Sequence, residues 1–174
     1  MGMRSKRIAL LALLSGMACP GTSPAEPGAV TRILVRKGAH TMTLYDGNRP
    51  VASYRVAVGS GGAGPKRMEG DKVTPVGRYR VASRKKSVYT VFLRLDYPNA
   101  ADEARFSALK AKGAIPENAT IGSFIGIHGS PPQPLLKPLH KQADWTAGCV
   151  AVDDDEIVQI AGRVKNGTVV DIED

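Results

Sequence analysis

Cysteine is nearly missing from this chain: its 174 residues hold two, Cys19 and Cys149. Cys19 lies in the export leader described below. A processed chain would therefore keep one thiol, which cannot close an internal disulfide and needs another reason to be there. Aromatic residues are also scarce, at 5% of the chain, whereas Gly (19) and Pro (12) are plentiful. That mixture favours short strands joined by turns over a helical bundle. No basic run is interleaved with aromatics, which argues against nucleic acid as a partner. The glycine-rich stretch at 59–64 lacks the Gly-Lys-Ser/Thr ending and the following helix of a phosphate-binding loop, so it reads as a flexible surface loop. No two of His40, His128, His140 and Cys149 stand at the close spacing of a structural zinc site. No metal or cofactor is expected, and His140 reads as a surface residue. Neither an internal repeat nor a second domain is visible.

The N-terminus carries what the rest lacks. Arg4, Lys6 and Arg7 precede an apolar run at residues 8–18, too short to span a bilayer as a lone helix. Residues 1–25 therefore read as a signal peptide, with Ser23-Pro24-Ala25 as the small residues before cleavage. A lipoprotein signal ending at residue 18, with Cys19 lipidated, is the alternative; Gly16 stands where its apolar residue belongs. Residues 26–30 are a linker, and 31–174 one domain. The expected place is the periplasm or the outer face of the cell envelope. Lys and Arg exceed Asp and Glu by eight, three of these positives being in the leader. The mildly basic remainder suits an anionic envelope polymer.

Residues 32–36, 41–45 and 51–58 read as strands of an antiparallel meander, with a hairpin signal at Asp46-Gly47-Asn48. Thr74-Pro75-Val76-Gly77 sets a turn into a strand at 79–82. Strands are further expected at 87–95, 119–127 and 168–172. Residues 99–112 read as a helix capped by Asn99 or Asp102. A second helix opens at Asp153, with Glu156 completing a capping box and Ile157, Ile160, Ala161 and Val164 forming one apolar face. The fold class is mostly β, with two peripheral helices.

The stretch from Ile127-His128-Gly129-Ser130 through a Pro-rich loop to Trp145-Thr146-Ala147-Gly148-Cys149 carries the chemistry. A thiol attacks a carbonyl as thiolate, and a free Cys, with a pKa of about 8.5, is mostly protonated at neutral pH. A neighbouring His either takes the proton or holds the thiolate as an ion pair. Amides at Gly148 and Cys149 are candidates for holding an oxyanion. On residue types alone, Cys149 reads equally well as a small buried hydrophobe.

The pattern goes further than the residue types. His128-Gly129-Ser130 followed by Thr146-Ala147-Gly148-Cys149-Val150, with Gly70-Asp71-Lys72-Val73-Thr74-Pro75-Val76-Gly77-Arg78-Tyr79 upstream, resembles the L,D-transpeptidase (YkuD-like) family. The divergent subgroup with Gly-Cys-Ile/Val-Ala-Val is the nearer match. The resemblance implies a YkuD-like β-sandwich in which Cys149 is the nucleophile and His128 the acid/base. Gly129 would orient His128 through its carbonyl, and Gly148 would supply an oxyanion N–H. Thr146, Ser130 and Trp145 would contact substrate, and the Thr-Pro turn would form a wall near the site. The implied reaction is acyl transfer on peptidoglycan stem peptides through a Cys thioester, without a cofactor. A neighbouring stem or an envelope lipoprotein would supply the acceptor amine, and a monomer would suffice. Ala151 departs from the family pattern, which often has Arg there. That departure leaves substrate choice open, and the divergent subgroup brings hydrolysis of stem-peptide or peptidoglycan–lipoprotein links as the alternative. The alternative of another class is a non-catalytic envelope-binding domain.

Overall fold

In this computed structural model the structure describes Met1 and residues 29–174. The expected signal peptide and Cys19 lie outside the described residues. Eight strands form one curled sheet in the order β3-β2-β1-β8-β4-β5-β6-β7, flanked by two helices. The strands are β1 (Arg32–Arg36), β2 (Thr41–Asp46), β3 (Arg49–Arg55), β4 (Gly77–Ser87), β5 (Thr90–Leu95), β6 (Gly126–His128), β7 (Val150–Ala151) and β8 (Val169–Glu173). The helices are α1 (Ala100–Ala111) and α2 (Asp154–Arg163).

Three strands follow local pattern. In β2, Met42 and Leu44 are fully buried while Thr41 and Thr43 are only partly so, the two-residue period of a half-buried strand. The Gly47-Asn48 turn returns β2 to β3, and β1 adds between β2 and β8. β4 differs from expectation. It runs through Arg84, Lys85 and Lys86 to Ser87, and only a Val88-Tyr89 turn separates it from β5. The basic residues do not end the strand because they lie on an arm whose side chains face solvent, while the backbone pairs with Leu93, Phe92 and Val91. The first half of β4 pairs with β8 and the second with β5, with an irregularity at Val81/Ser83. A bulge there bends the strand, so one strand serves both halves of the curl.

β6 is shorter than the expected 119–127 strand. Gly122 and Phe124 have φ of +75° and +61°, which takes the backbone out of ladder geometry until Gly126. The chain after β3 does not stop pairing but changes partner: Ala57 exchanges both backbone hydrogen bonds with Ala151, and Val58 and Ser60 bond Thr146. The two ends of the curled sheet therefore meet at 146–151. The glycine stretch at 59–64 is correspondingly not a loose loop. A Cβ on Gly59 would overlap the Lys72 carbonyl and lie 2.9 Å from the Thr74 nitrogen. Only glycine lets these two segments approach so closely.

The core lies inside the curl. Ile33, Leu44, Tyr79, Leu93, Leu95, Ile127 and Val170 meet Ile157 and Ile160 of α2 there. The first turn of α2 is closed by the Glu156 carboxylate accepting the Asp153 N–H at 2.8 Å. α1 is more superficial. Asn99 caps it, accepting from Ala101 and Asp102, and Asp102 returns the bond to the Asn99 N–H at 3.1 Å.

Between Ser60 and Gly77 the chain is organised by one carboxylate. Asp71 accepts from Lys66 Nζ at 2.5 Å and from the N–H groups of Arg67, Met68 and Val73. Burial alone would raise its pKa, but the Lys66 ammonium and these amides outweigh it and hold the carboxyl below the usual range. A depressed folded pKa stabilises above the unfolded value of about 3.9 and is lost as pH falls through the folded one. Asp71→Asn should therefore lose its stability deficit in acid and show it fully at neutral pH. Because Lys66 is only 6% exposed, breaking the pair is expected to cost about 3–5 kcal/mol, read by denaturant unfolding at neutral pH and at successively lower pH below the unfolded value.

Candidate active site

Two neighbouring strands bring the singled-out residues together. β6 and β7 are parallel, with Ile127 opposite Val150 and His128 opposite Ala151. That register sets Cys149 level with Gly126, two residues before His128. His128 and Cys149 line one groove of about 570 Å³, walled by Tyr89, Phe92, Phe124 and Trp145 and floored by Thr146 and Ala147.

His128 is only 4% exposed. Its Nδ1 lies 2.8 Å from the carbonyl oxygen of Gly129. A carbonyl can only accept, so Nδ1 carries the proton and the neutral ring presents Nε2 as an acceptor. Tyr89 lies against one face with centroids 4.5 Å apart, Phe92 stacks at 6.1 Å, and Trp145 meets the ring edge-on at 5.7 Å. Burial lowers the His128 pKa below its ordinary value; the Gly129 carbonyl opposes this and the charge of His140 adds to it. The ring rests neutral.

Cys149 is partly buried and free. Its sulfur faces the Phe124 carbonyl at 3.6 Å. Burial pushes the thiol up to about 11, although the Gly126 N–H and the Lys66 charge pull the other way. This corrects the starting point taken from a free thiol. The resting pair is a neutral thiol beside a neutral imidazole, which suits proton transfer during attack better than a preformed ion pair.

The backbone of Cys149 is pinned by two hydroxyls. Thr146 Oγ1 donates to its carbonyl at 2.7 Å and Thr74 Oγ1 at 3.4 Å. Thr74 also accepts the Gly59 N–H at 2.8 Å. The Thr-Pro turn therefore lies beneath the sulfur-bearing residue as a fully buried support, and Thr74 does not line the groove. Gly148 has φ of +129°, and a Cβ there would press on the Val73 carbonyl at 2.9 Å. Its N–H donates to Thr146 Oγ1 at 3.1 Å. It is therefore engaged in this structure, whereas among the described residues no protein acceptor takes the Cys149 N–H.

Ser130 is placed elsewhere. It lines a charged cleft with Lys137, His140, Lys141 and Asp153–Asp155, not the groove. Thr146 and Trp145 do border the groove. His140 is a correction: it is 6% exposed, with Nε2 donating to Asp153 Oδ1 at 2.8 Å. Together with Lys141–Asp153 at 2.7 Å and Lys137–Asp154 at 2.6 Å, it ties the Pro-rich loop to the start of α2. The loop's other end is tied by Asp144, which accepts from His40 at 3.1 Å and from the Val58 N–H at 2.9 Å. Each histidine of the chain is thus committed to a different partner.

Two sets of residues were not visible in the sequence. The groove aromatics Tyr89 and Phe92 are close in the chain but Phe124 is distant, and nothing in the linear order joins the three. Asp154 was read as part of a helix start. It does open α2, and it also reaches the His128 loop, accepting the Ser130 N–H at 3.0 Å and the Thr90 hydroxyl at 2.7 Å.

The sequence matches the L,D-transpeptidase catalytic domain (YkuD) over residues 30–172. The chain belongs to that family. No curated protein sequence matches it. Among solved structures, this L,D-transpeptidase-family domain resembles the helical cell shape determining protein Pgp2 of Campylobacter jejuni. Identity is 22% and the TM-score 0.60, covering 84% of this chain and 48% of that one. It also resembles an L,D-transpeptidase of Mycobacterium smegmatis (13%, TM-score 0.54, 84% and 60%) and one of Xylanimonas cellulosilytica (14%, TM-score 0.51, 86% and 62%). At these identities the likeness is one of fold. The chain spans about half to three-fifths of the length of these structures.

Gly129 gives the site a sharp test. A Cβ on it would overlap Asp154 Oδ1 and lie 2.7 Å from the Tyr89 carbonyl, with Ile157 at 3.1 Å. Gly129→Ala is expected to displace the carbonyl that holds His128, at the usual overpacking cost of about 1–3 kcal/mol. Thermal unfolding and turnover should both fall. A variant as stable and as active as the parent would refute the tight packing described here.

Proposed function

We propose that this domain transfers an acyl group from a peptidoglycan stem peptide through a thioester on Cys149. The observation that carries the reading is the shared groove: His128, whose Nδ1 is committed to the Gly129 carbonyl and whose Nε2 is left unprotonated, lines the same space as Cys149. In the first half-reaction Nε2 takes the thiol proton as sulfur attacks an amide carbonyl. The Cys149 N–H, which no protein acceptor takes among the described residues, receives the developing oxyanion in this reading. His128 then returns the proton to the departing amine as the C–N bond breaks, leaving the thioester. In the second half an acceptor amine attacks the thioester, His128 takes its proton, and the thiol is regenerated. Water in place of the amine makes the same chemistry a hydrolysis.

Ala151 bears on the acceptor. It is fully buried, and its N–H and C=O are both spent on Ala57. No cationic side chain therefore stands two residues after Cys149 to engage a carboxylate. The leader sequence supports action outside the cytoplasmic membrane, and peptidoglycan is the partner the family membership favours.

The test is incubation of the purified protein with defined peptidoglycan fragments, with and without an amine acceptor, read by mass. Amide products dependent on the amine support transfer; free acid regardless of amine supports the hydrolase. No thioester adduct and no product with either would overturn the catalytic reading in favour of an envelope-binding domain.

A further inference from the structure

We propose that Asp154 is a positioning residue acting on His128 through the peptide bond between Gly129 and Ser130. This rests on the reading of His128 as the acid/base. The carbonyl of that peptide accepts the Nδ1–H of His128 at 2.8 Å, and the N–H of the same peptide donates to Asp154 Oδ1 at 3.0 Å. In a trans peptide the C=O and N–H point in opposite directions. Asp154 and His128 therefore sit at the two ends of one planar, conjugated unit. A carboxylate accepting the N–H draws electron density toward the carbonyl oxygen, and hydrogen bonds in series polarise one another. The carbonyl becomes a stronger acceptor for Nδ1–H and favours the imidazolium that forms when Nε2 takes a proton. A buried Asp bonded directly to Nδ1 does this job in the Ser-His-Asp arrangement; here a peptide group is interposed.

The surroundings are built to hold this line. Gly129 has no room for a side chain because Asp154 Oδ1 and the Tyr89 carbonyl occupy the space. Its own N–H donates to that Tyr89 carbonyl at 3.0 Å. Thr90 and Lys137 satisfy the rest of the carboxylate, at 2.7 and 2.6 Å. Burial would raise the Asp154 pKa, but Lys137, Thr90 and the Ser130 N–H outweigh it, so the carboxylate stays ionised throughout the neutral range. The charged groups facing it are Lys137 and, across the same cleft, Lys141, His140, Asp153 and Asp155. Tyr89 and Cys149 face His128.

The experiment is an NMR titration of the His128 ring in the purified protein, beside turnover on the same fragments. Asp154→Asn keeps an oxygen for the Ser130 N–H but removes the charge. It should lower the His128 pKa by on the order of one pH unit and cut turnover roughly tenfold, with little change in melting temperature. Lys137→Ala, which leaves the carboxylate less neutralised, should move the His128 pKa upward. Asp155→Asn removes an equal charge from a neighbouring exposed residue that does not touch the peptide, and should move neither. The proposal is overturned if His128 titrates as in the parent in Asp154→Asn, or if Asp155→Asn shifts it as far. Should Asp154→Asn fail to fold, the direction of the shift in Lys137→Ala decides. The titration needs no turnover, so a chain that proves inactive on every fragment would sink the acyl-transfer reading while leaving this test intact.

Discussion

Cys149→Ser should fold and leave no measurable acyl transfer. Removing the nucleophile of a comparable hydrolytic machine costs on the order of 10⁶ in rate, and a buried hydroxyl is far harder to ionise than the thiol it replaces. Cys149→Ala should behave alike. Neither change should unsettle the fold, because the sulfur's polar neighbours are only the Phe124 carbonyl at 3.6 Å and the Gly126 N–H, while the residue's backbone is held by Thr74 and Thr146. The check is mass spectrometry of protein mixed with acyl donor: the parent should gain the mass of the acyl fragment and both variants should not. An adduct or sustained turnover in either variant would remove Cys149 from the mechanism.

His128→Gln should be nearly as damaging and more informative. General acid–base catalysis is typically worth about 10²–10⁴-fold. With the thiol pushed up to about 11, only about one part in 10⁴ would be thiolate at pH 7 without a base, from the definition of the pKa. The parent and the variant should therefore differ in pH profile as well as rate. In the parent, activity requires neutral His128. Its depressed pKa carries activity below pH 6.5, the ordinary imidazole value of about 6.5, before the acid limb falls. In His128→Gln the residual rate should climb about tenfold per pH unit through the alkaline range, following free thiolate. Iodoacetamide alkylation of Cys149 across pH 5–11 reads the same ionisation without substrate. A variant that keeps parental turnover and a flat neutral profile would displace His128 as the base.

The parts of the fold that were legible are those whose cause is local. The alternation in Thr41–Asp46, the Gly47-Asn48 turn and the Asn99 and Glu156 caps all state their geometry within a few residues. Where tertiary packing decides, the reading failed in understandable ways. Lys85 and Lys86 look like loop residues until the hairpin arm is seen to leave the body of the sheet. His140 sits in a polar, Pro-rich loop, and only the carboxylate of Asp153, reached across a turn of structure, explains its burial. The bond from the Gly148 N–H to the Thr146 hydroxyl two residues earlier was likewise not legible. Asp154 is the instructive case. An acidic residue at a helix start already has a sufficient explanation, so nothing in the linear order invited a search for its contact with Ser130.

The groove's one indole gives the protein a built-in optical probe. Trp145 is the chain's only tryptophan, and its ring lies 6.0 Å from Tyr89, 5.7 Å from His128 and 6.2 Å from His140. All indole emission therefore originates at the groove. A protonated imidazole at these distances quenches an excited indole, and an occupant that displaces water changes its wavelength. Unlabelled protein should thus report ligand entry through shifted emission and His128 ionisation through intensity against pH. His128→Gln should erase the His128 component of that pH response.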